Sequence, residues 1–299
     1  PTTYAAASPP VAAMMVLMTK VGIYALLRVW LAVFSDEAGE LQGFGLAALT
    51  AGGMATLLFG AVGMLASQDG GRMAGYGAII SSGTLLAVLG HSGSAVLASG
   101  LYYLLGSTLA MAAFMLLIEL TERIRPPGAA LLAITMEAFA IEDKPEDPVG
   151  VGIPGTLAFL GLSFVACALV ISGMPPLSGF VAKFSLFHAL LAMPGRVPPA
   201  TWLLIALMLL AGLAAIIALM RLGVRTFWAS GAVTPPRLQL SEALPVGALV
   251  GLCAVLTLQA GTVFDYLSRT VDGLARSGPA SERVLGEPPV ARPAVGEAS

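Results

Sequence analysis

Apolar runs of twenty residues and more recur along this chain, and they leave it few ways to fold. The run from Ala95 to Leu120 is one; Val11–Phe34, Gly43–Ala66, Thr201–Leu222 and Ala243–Tyr266 are others. A helix rising about 1.5 Å per residue crosses the hydrocarbon of a bilayer in about 20 such residues, whereas barrel strands alternate over about ten. Composition agrees. Hydrophobic residues make up 57% of the chain, charged residues 11%, and the mean hydropathy is +0.89, against roughly 25% charged in soluble domains. The expected fold class is an all-α polytopic membrane protein.

Several function classes drop out. The net charge of -2 comes with no basic patch or stacking-aromatic cluster, so no nucleic-acid partner is expected. Cys167 and Cys253 lie inside apolar runs, which argues against a disulfide framework or a CxxC metal site. A Walker loop, a dinucleotide glycine fingerprint, a metal-spaced His/Cys set and a Ser/His/Asp arrangement are all missing, so neither enzyme chemistry nor a cofactor is expected. No signal peptide is visible, and the chain starts with Pro1 in what reads as a loop; we expect a fragment with its upstream part missing.

Residues 1–10 read as an opening loop, 11–270 as the membrane domain and 271–299 as a disordered tail rich in Pro, Ala, Gly, Glu and Arg. Within the membrane domain, polar loops fall at Ser35–Glu40, at Gln68–Arg72, at Gly90–Gly93 and over the long acidic stretch Thr121–Gly150. The apolar segment Ile153–Met193 is interrupted by Gly173-Met174-Pro175-Pro176-Leu177-Ser178-Gly179, because proline has no amide donor and clashes with the preceding turn. Loop charges decide how often that segment crosses. One crossing puts Arg72, Arg123, Arg125, Lys144, Arg221, Arg225 and Arg237 on a single side, with Arg196 and, near helix ends, Arg28 and Arg269 opposite. Two crossings erase that asymmetry, which the positive-inside rule disfavours. One crossing by a discontinuous helix gives about seven in all, with the first helix starting in the cytoplasm and the tail outside.

Lys20 and Lys183 lie inside these helices. Lys20 is about 15 Å deep, too far for easy snorkelling, and a lysine at that depth costs about 2.5–3.5 kcal/mol on insertion scales. The plain reading is a lysine satisfied by helix carbonyls; the functional one is a proton carrier, and the cost favours it. All seventeen Asp and Glu fall in loops, the tail or helix ends, so a counter-charge would have to come from outside this chain. Tyr24, Ser81, Ser82, Ser107, Thr108 and Ser178 are placed to line a water chain, although small polar residues more often serve helix packing. His188, five residues beyond Lys183, extends the path or simply packs. His91 reads as a solvated turn residue. Pro175, Pro176 and Gly179 open the helix so that carbonyls and water reach Lys183.

The stretches Ala7-Ser8-Pro9-Pro10-Val11-Ala12, Met18-Thr19-Lys20-Val21-Gly22-Ile23-Tyr24-Ala25-Leu26-Leu27-Arg28 and Gly173–Phe184 resemble the proton-translocating antiporter family. That family joins the antiporter-like subunits of respiratory complex I to the multisubunit sodium/proton antiporters of the Mrp or Pha type, and the likeness is closest to the D-type subunits of the latter. Leu101-Tyr102-Tyr103-Leu104-Leu105-Gly106-Ser107-Thr108-Leu109-Ala110 resembles the same subunits, and the likeness runs from Pro1 to about Arg269. It implies the second half of a fold of about fourteen helices built from two inverted repeats. It further implies a link between half-channels at Lys20, an exit half-channel at Lys183, and a membrane glutamate and another lysine in the missing part. Other membrane subunits, protons, a monovalent cation such as sodium, and the bacterial inner membrane are implied as partners and setting.

One departure bears on mechanism. Complex I relatives often carry histidines and a lysine on the helix that here holds Tyr103, Ser107 and Met111, and Ser81 stands where His or Gln is common. Water held by hydroxyls would then bridge Lys20 and Lys183, and the departure favours the D-type antiporter subunits over complex I. The alternatives are a proton-pumping subunit of complex I or of a membrane-bound hydrogenase, and, from another class, a scaffold subunit inert in transport.

Overall fold

In a computed structural model the chain forms helices, and its described residues (1–33, 43–91, 93–122, 155–193, 195–227 and 239–275) include no strand. The helices are α1 (Thr2–Ala6), α2 (Pro9–Val33), α3 (Leu46–Ala66), α4 (Gly70–Leu89), α5 (Ser94–Glu122), α6 (Gly155–Ser172), α7 (Ser178–Leu191), α8 (Pro199–Phe227), α9 (Leu240–Leu258) and α10 (Ala260–Ala275). Among the described residues, 7 of these are long and apolar enough to cross a membrane: α2 to α6, α8 and α9.

Two apolar clusters show how α6 and α7 share one crossing. The first joins Leu97 and Leu101 from the start of α5 to Leu186 and Leu190 of α7 and to Leu204 and Met208 from the start of α8. The second joins Phe114 and Leu117 from the far half of α5 to Leu160 and Phe164 of α6 and to Ala218 and Leu222 from the far half of α8. Along the same pair of long helices, α6 therefore occupies one level and α7 the next, and the break lies between them. A hairpin crossing twice would have put both segments at both levels. Single crossing by a discontinuous helix, expected from the loop charges, holds.

Polar contacts mark the two ends. At one, the Arg221 guanidinium donates to the carbonyls of Leu65 (2.7 Å) and Ser67 (2.6 Å), and Arg225 donates to Gln68 Oε1. Asp69 caps α4 there by accepting from the Arg72 amide. Opposite, Tyr102 stacks on Phe264 of α10 at 4.3 Å, and its hydroxyl donates to the Leu256 carbonyl. Lys20 and Lys183 lie between these ends.

Three expectations change. The opening ten residues hold α1 and the start of α2 rather than a loop, since Pro9 and Pro10 suit a first helical turn, where the amide is unpaired in any case. The last apolar run divides at Gln259, and α10 continues to Ala275, past the expected end of the ordered chain at 270. Its apolar residues Phe264, Leu267 and Val271 recur at helical spacing and pack into the first cluster. His91 is buried, 9% exposed, not solvated. The loops at Ser35–Glu40, 123–154 and 228–238, with Arg123, Arg125, Lys144 and Arg237, lie outside the described residues, as does the tail 276–299.

Candidate functional site

Along α2 the buried positions Ala12, Val16, Lys20, Ile23 and Leu27 recur every three or four residues, so Lys20 points the same way as the apolar core residues around it. It is 2% exposed. Its ammonium donates to Ser81 Oγ of α4 at 2.6 Å, and that hydroxyl donates onward to the Ala78 carbonyl at 2.9 Å. Thr19 turns outward, its hydroxyl donating to the Met15 carbonyl and lying 3.2 Å from the Tyr4 hydroxyl.

Lys183 is held differently. Its ammonium donates to the carbonyl of Ser172, the last residue of α6, at 2.6 Å. Gly173 follows with φ +80, left-handed backbone that a side chain rarely adopts, and a β-carbon there would come within 2.9 Å of the ammonium. Gly179 admits the start of α7 against the Val170 carbonyl, where any β-carbon would collide with that oxygen. The break is therefore shaped by Gly173, Gly179 and the prolines together.

A cavity of about 20 Å³ is lined by Lys183 and by Ser81, the hydrogen-bond partner of Lys20, together with Tyr103 and Ser107. A water needs about 10–15 Å³ of such space and a few polar partners, so this cavity accommodates one. No carboxylate lines it.

The other residues singled out from sequence are placed less uniformly. Ser107 Oγ donates to the Leu104 carbonyl and still borders the cavity, whereas Thr108 spends its hydroxyl on the same carbonyl at 2.6 Å and does not. Ser82 and Ser178 are buried with hydroxyls that find no partner among the described residues. Tyr24 accepts from Arg28 and borders a separate, apolar cavity of about 10 Å³. His188 is exposed, about 140° around α7 from Lys183 at 100° per residue. Two features escaped sequence reading. The Ser172 carbonyl has no side-chain signature, and only the Pro-Pro pair just beyond it hints that it is left open. Gly212 of α8, which faces that carbonyl, looks like any small residue in a membrane helix.

Known proteins resemble the chain in sequence and in fold. It is 50% identical over 295 residues to a probable K(+)/H(+) antiporter D subunit of Rhizobium meliloti (strain 1021), covering 96% of this chain and 55% of that protein. It is 27% identical over 259 residues to the Na(+)/H(+) antiporter D subunit of Alkalihalophilus pseudofirmus, covering 86% of this chain and 47% of that one. The structure of the Mrp complex from Dietzia sp. DQ12-45-1b contains a chain that superposes with a TM-score of 0.70 at 20% identity, over 93% of this chain and 56% of that chain; this likeness shows the fold. No protein-family model matches. The chain spans about half the length of the curated relatives it matches. Over that half, it is homologous to the D subunits of monovalent cation/proton antiporters.

Proposed function

We propose that this chain is the second half of a proton-translocating membrane subunit of a multisubunit monovalent cation/proton antiporter in the bacterial inner membrane. The observation that carries the reading is the cavity shared by Ser81, the hydrogen-bond partner of Lys20, and by Lys183. A proton leaving Lys20 passes through the Ser81 hydroxyl to a water in the cavity, beside Tyr103 and Ser107, and reaches Lys183. With no carboxylate lining the cavity, each lysine's charge acts on the other across low-dielectric surroundings, so loading one favours unloading its neighbour. Ser82, Ser178 and His188 would extend the path beyond this segment, and Thr108 and Tyr24 would pack beside it.

Potassium and sodium are both candidates for the exchanged cation. The 50%-identical relative is named for potassium and the 27%-identical one for sodium, which supports potassium first. The end bearing Arg72, Arg221 and Arg225 would face the cytoplasm.

The test is cation-dependent proton movement in everted vesicles carrying the complete complex. Lys20→Ala and Lys183→Ala each abolish it while the complex still assembles. Normal exchange by both variants would leave a scaffold role.

A further inference from the structure

The end of α6 holds something the proton path does not use. A helix leaves its last carbonyls without intrahelical donors. For Ile171 and Ser172 the missing donors would be the amides of residues 175 and 176, and both are prolines. The amides of Gly173 and Met174 both turn back to the Leu169 carbonyl at 3.0 Å. Among the described residues the carbonyls of Val170 and Ile171 thus receive no amide, and the Ser172 carbonyl is taken by the Lys183 ammonium. Carbonyls gathered at the negative end of a broken membrane helix suit a cation. A cation on a flexible stem already occupies one of them, the Ser172 carbonyl.

Space has been kept around that charge. A β-carbon on Gly212 would lie 3.0 Å from the Ser172 oxygen and 3.4 Å from the Lys183 nitrogen, so the facing turn of α8 is left bare. The neighbouring cavity of about 20 Å³, which Ile171 and Val170 also line, gives water a place to accept a proton or complete a coordination shell.

We propose that the carbonyl end of α6 is a binding site for a largely dehydrated alkali cation, potassium or sodium, and that the Lys183 ammonium is its tethered competitor. This rests on the antiport reading above. For exchange, one N–H bond of the ammonium breaks, the electron pair stays on nitrogen and the proton passes to water in the cavity. The neutral amine withdraws and the cation takes the vacated Ser172 oxygen. One proton leaves as one cation enters, so the site carries a single positive charge in both states. Of the titratable side chains on helices packed around α7, Tyr103 shares the cavity. Cys167 and Cys253 line a separate one, His188 is exposed, and Arg221 and Arg225 lie at the far end of α8.

The experiment is equilibrium binding of radioactive rubidium and sodium to the complete complex in lipid nanodiscs, from neutral to alkaline pH. In the unaltered protein, affinity rises about tenfold per pH unit where Lys183 titrates, as one-for-one linkage requires. Lys183→Met removes the competitor and leaves binding independent of pH. Gly212→Ala crowds the oxygen and weakens cation binding about tenfold or more, raising KM with little change in maximal rate. A pH slope that survives in Lys183→Met, or unchanged affinity in Gly212→Ala, overturns the proposal; Gly212→Ala decides alone if Lys183→Met does not assemble. Exchange retained by Lys183→Met would instead remove Lys183 from the proton path of the reading above, so the two failures are distinguishable.

Discussion

The imidazole of His91 and the hydroxyl of Thr201 meet at 3.2 Å, across 110 residues of chain. Nδ1 of the same ring lies 3.0 Å from the Ala87 carbonyl, which can only accept, so in the neutral imidazole Nδ1 is the donor and Nε2 accepts from Thr201. Both groups are buried, and the pair ties the end of α4 to the first turn of α8. Thr201→Val keeps the shape and removes the donor, leaving a buried nitrogen unpaired at a cost of about 1–3 kcal/mol. A thermal melt of the detergent-purified complex should fall for Thr201→Val and much less for Thr201→Ser. Equal melting of the two would mean the hydrogen bond contributes nothing.

Ser81 should act on transport through its hydroxyl, which meets Lys20 and borders the cavity. Ser81→Ala strips the ammonium of that partner, and exchange should drop about tenfold or more, comparable to losing a charge-assisted hydrogen bond of roughly 1.5–3 kcal/mol. Ser81→Thr keeps a hydroxyl there and should retain a substantial part of the rate. Equal losses in the two variants would show that the hydroxyl is not what Ser81 contributes.

The cavity makes its own prediction. Ser107→Val puts apolar volume where Ser107 borders the space between Ser81 and Lys183, and should slow exchange severely without preventing assembly. Ser107→Thr keeps a hydroxyl there and should retain a substantial part of the rate. If Ser107→Val transports as well as the unaltered protein, protons do not cross this cavity.

Gly179→Ala tests the helix break. Its β-carbon would run into the Val170 carbonyl oxygen, a backbone atom that cannot swing aside. Overpacking of this kind costs about 1–3 kcal/mol and sometimes more. The complex should show reduced yield on native gels and a lower melting temperature, whereas Gly161→Ala, with nearly 4 Å of clearance, should be tolerated.

Much of this architecture can be read along the chain because a bilayer admits so few solutions. Long apolar runs set the crossings, and the charge asymmetry set one crossing for the broken segment. What resisted reading was long-range or lay in the backbone. Gly90-His91-Ser92-Gly93 has the composition of a wet turn, and nothing local announces that Thr201 will cover the histidine. His188 sits on the same short helix as Lys183 yet faces outward, a matter of register that sequence proximity conceals. The division at Gln259 left little trace because apolar residues continue on both sides of it. Carbonyl oxygens are invisible to any motif, and Ser172 matters through its main chain.

The two apolar clusters that flank the lysines have a consequence at the scale of the cell. Leu186, Leu190, Leu204 and Met208 pack on one side of the cavity, and Phe114, Leu117, Leu160 and Phe164 lie toward the other. A charge falling freely through the membrane dissipates about 2.3 kcal/mol for every 100 mV. Dry layers on both sides make this segment an insulator at rest, so the voltage is not short-circuited through the very residues that would spend it.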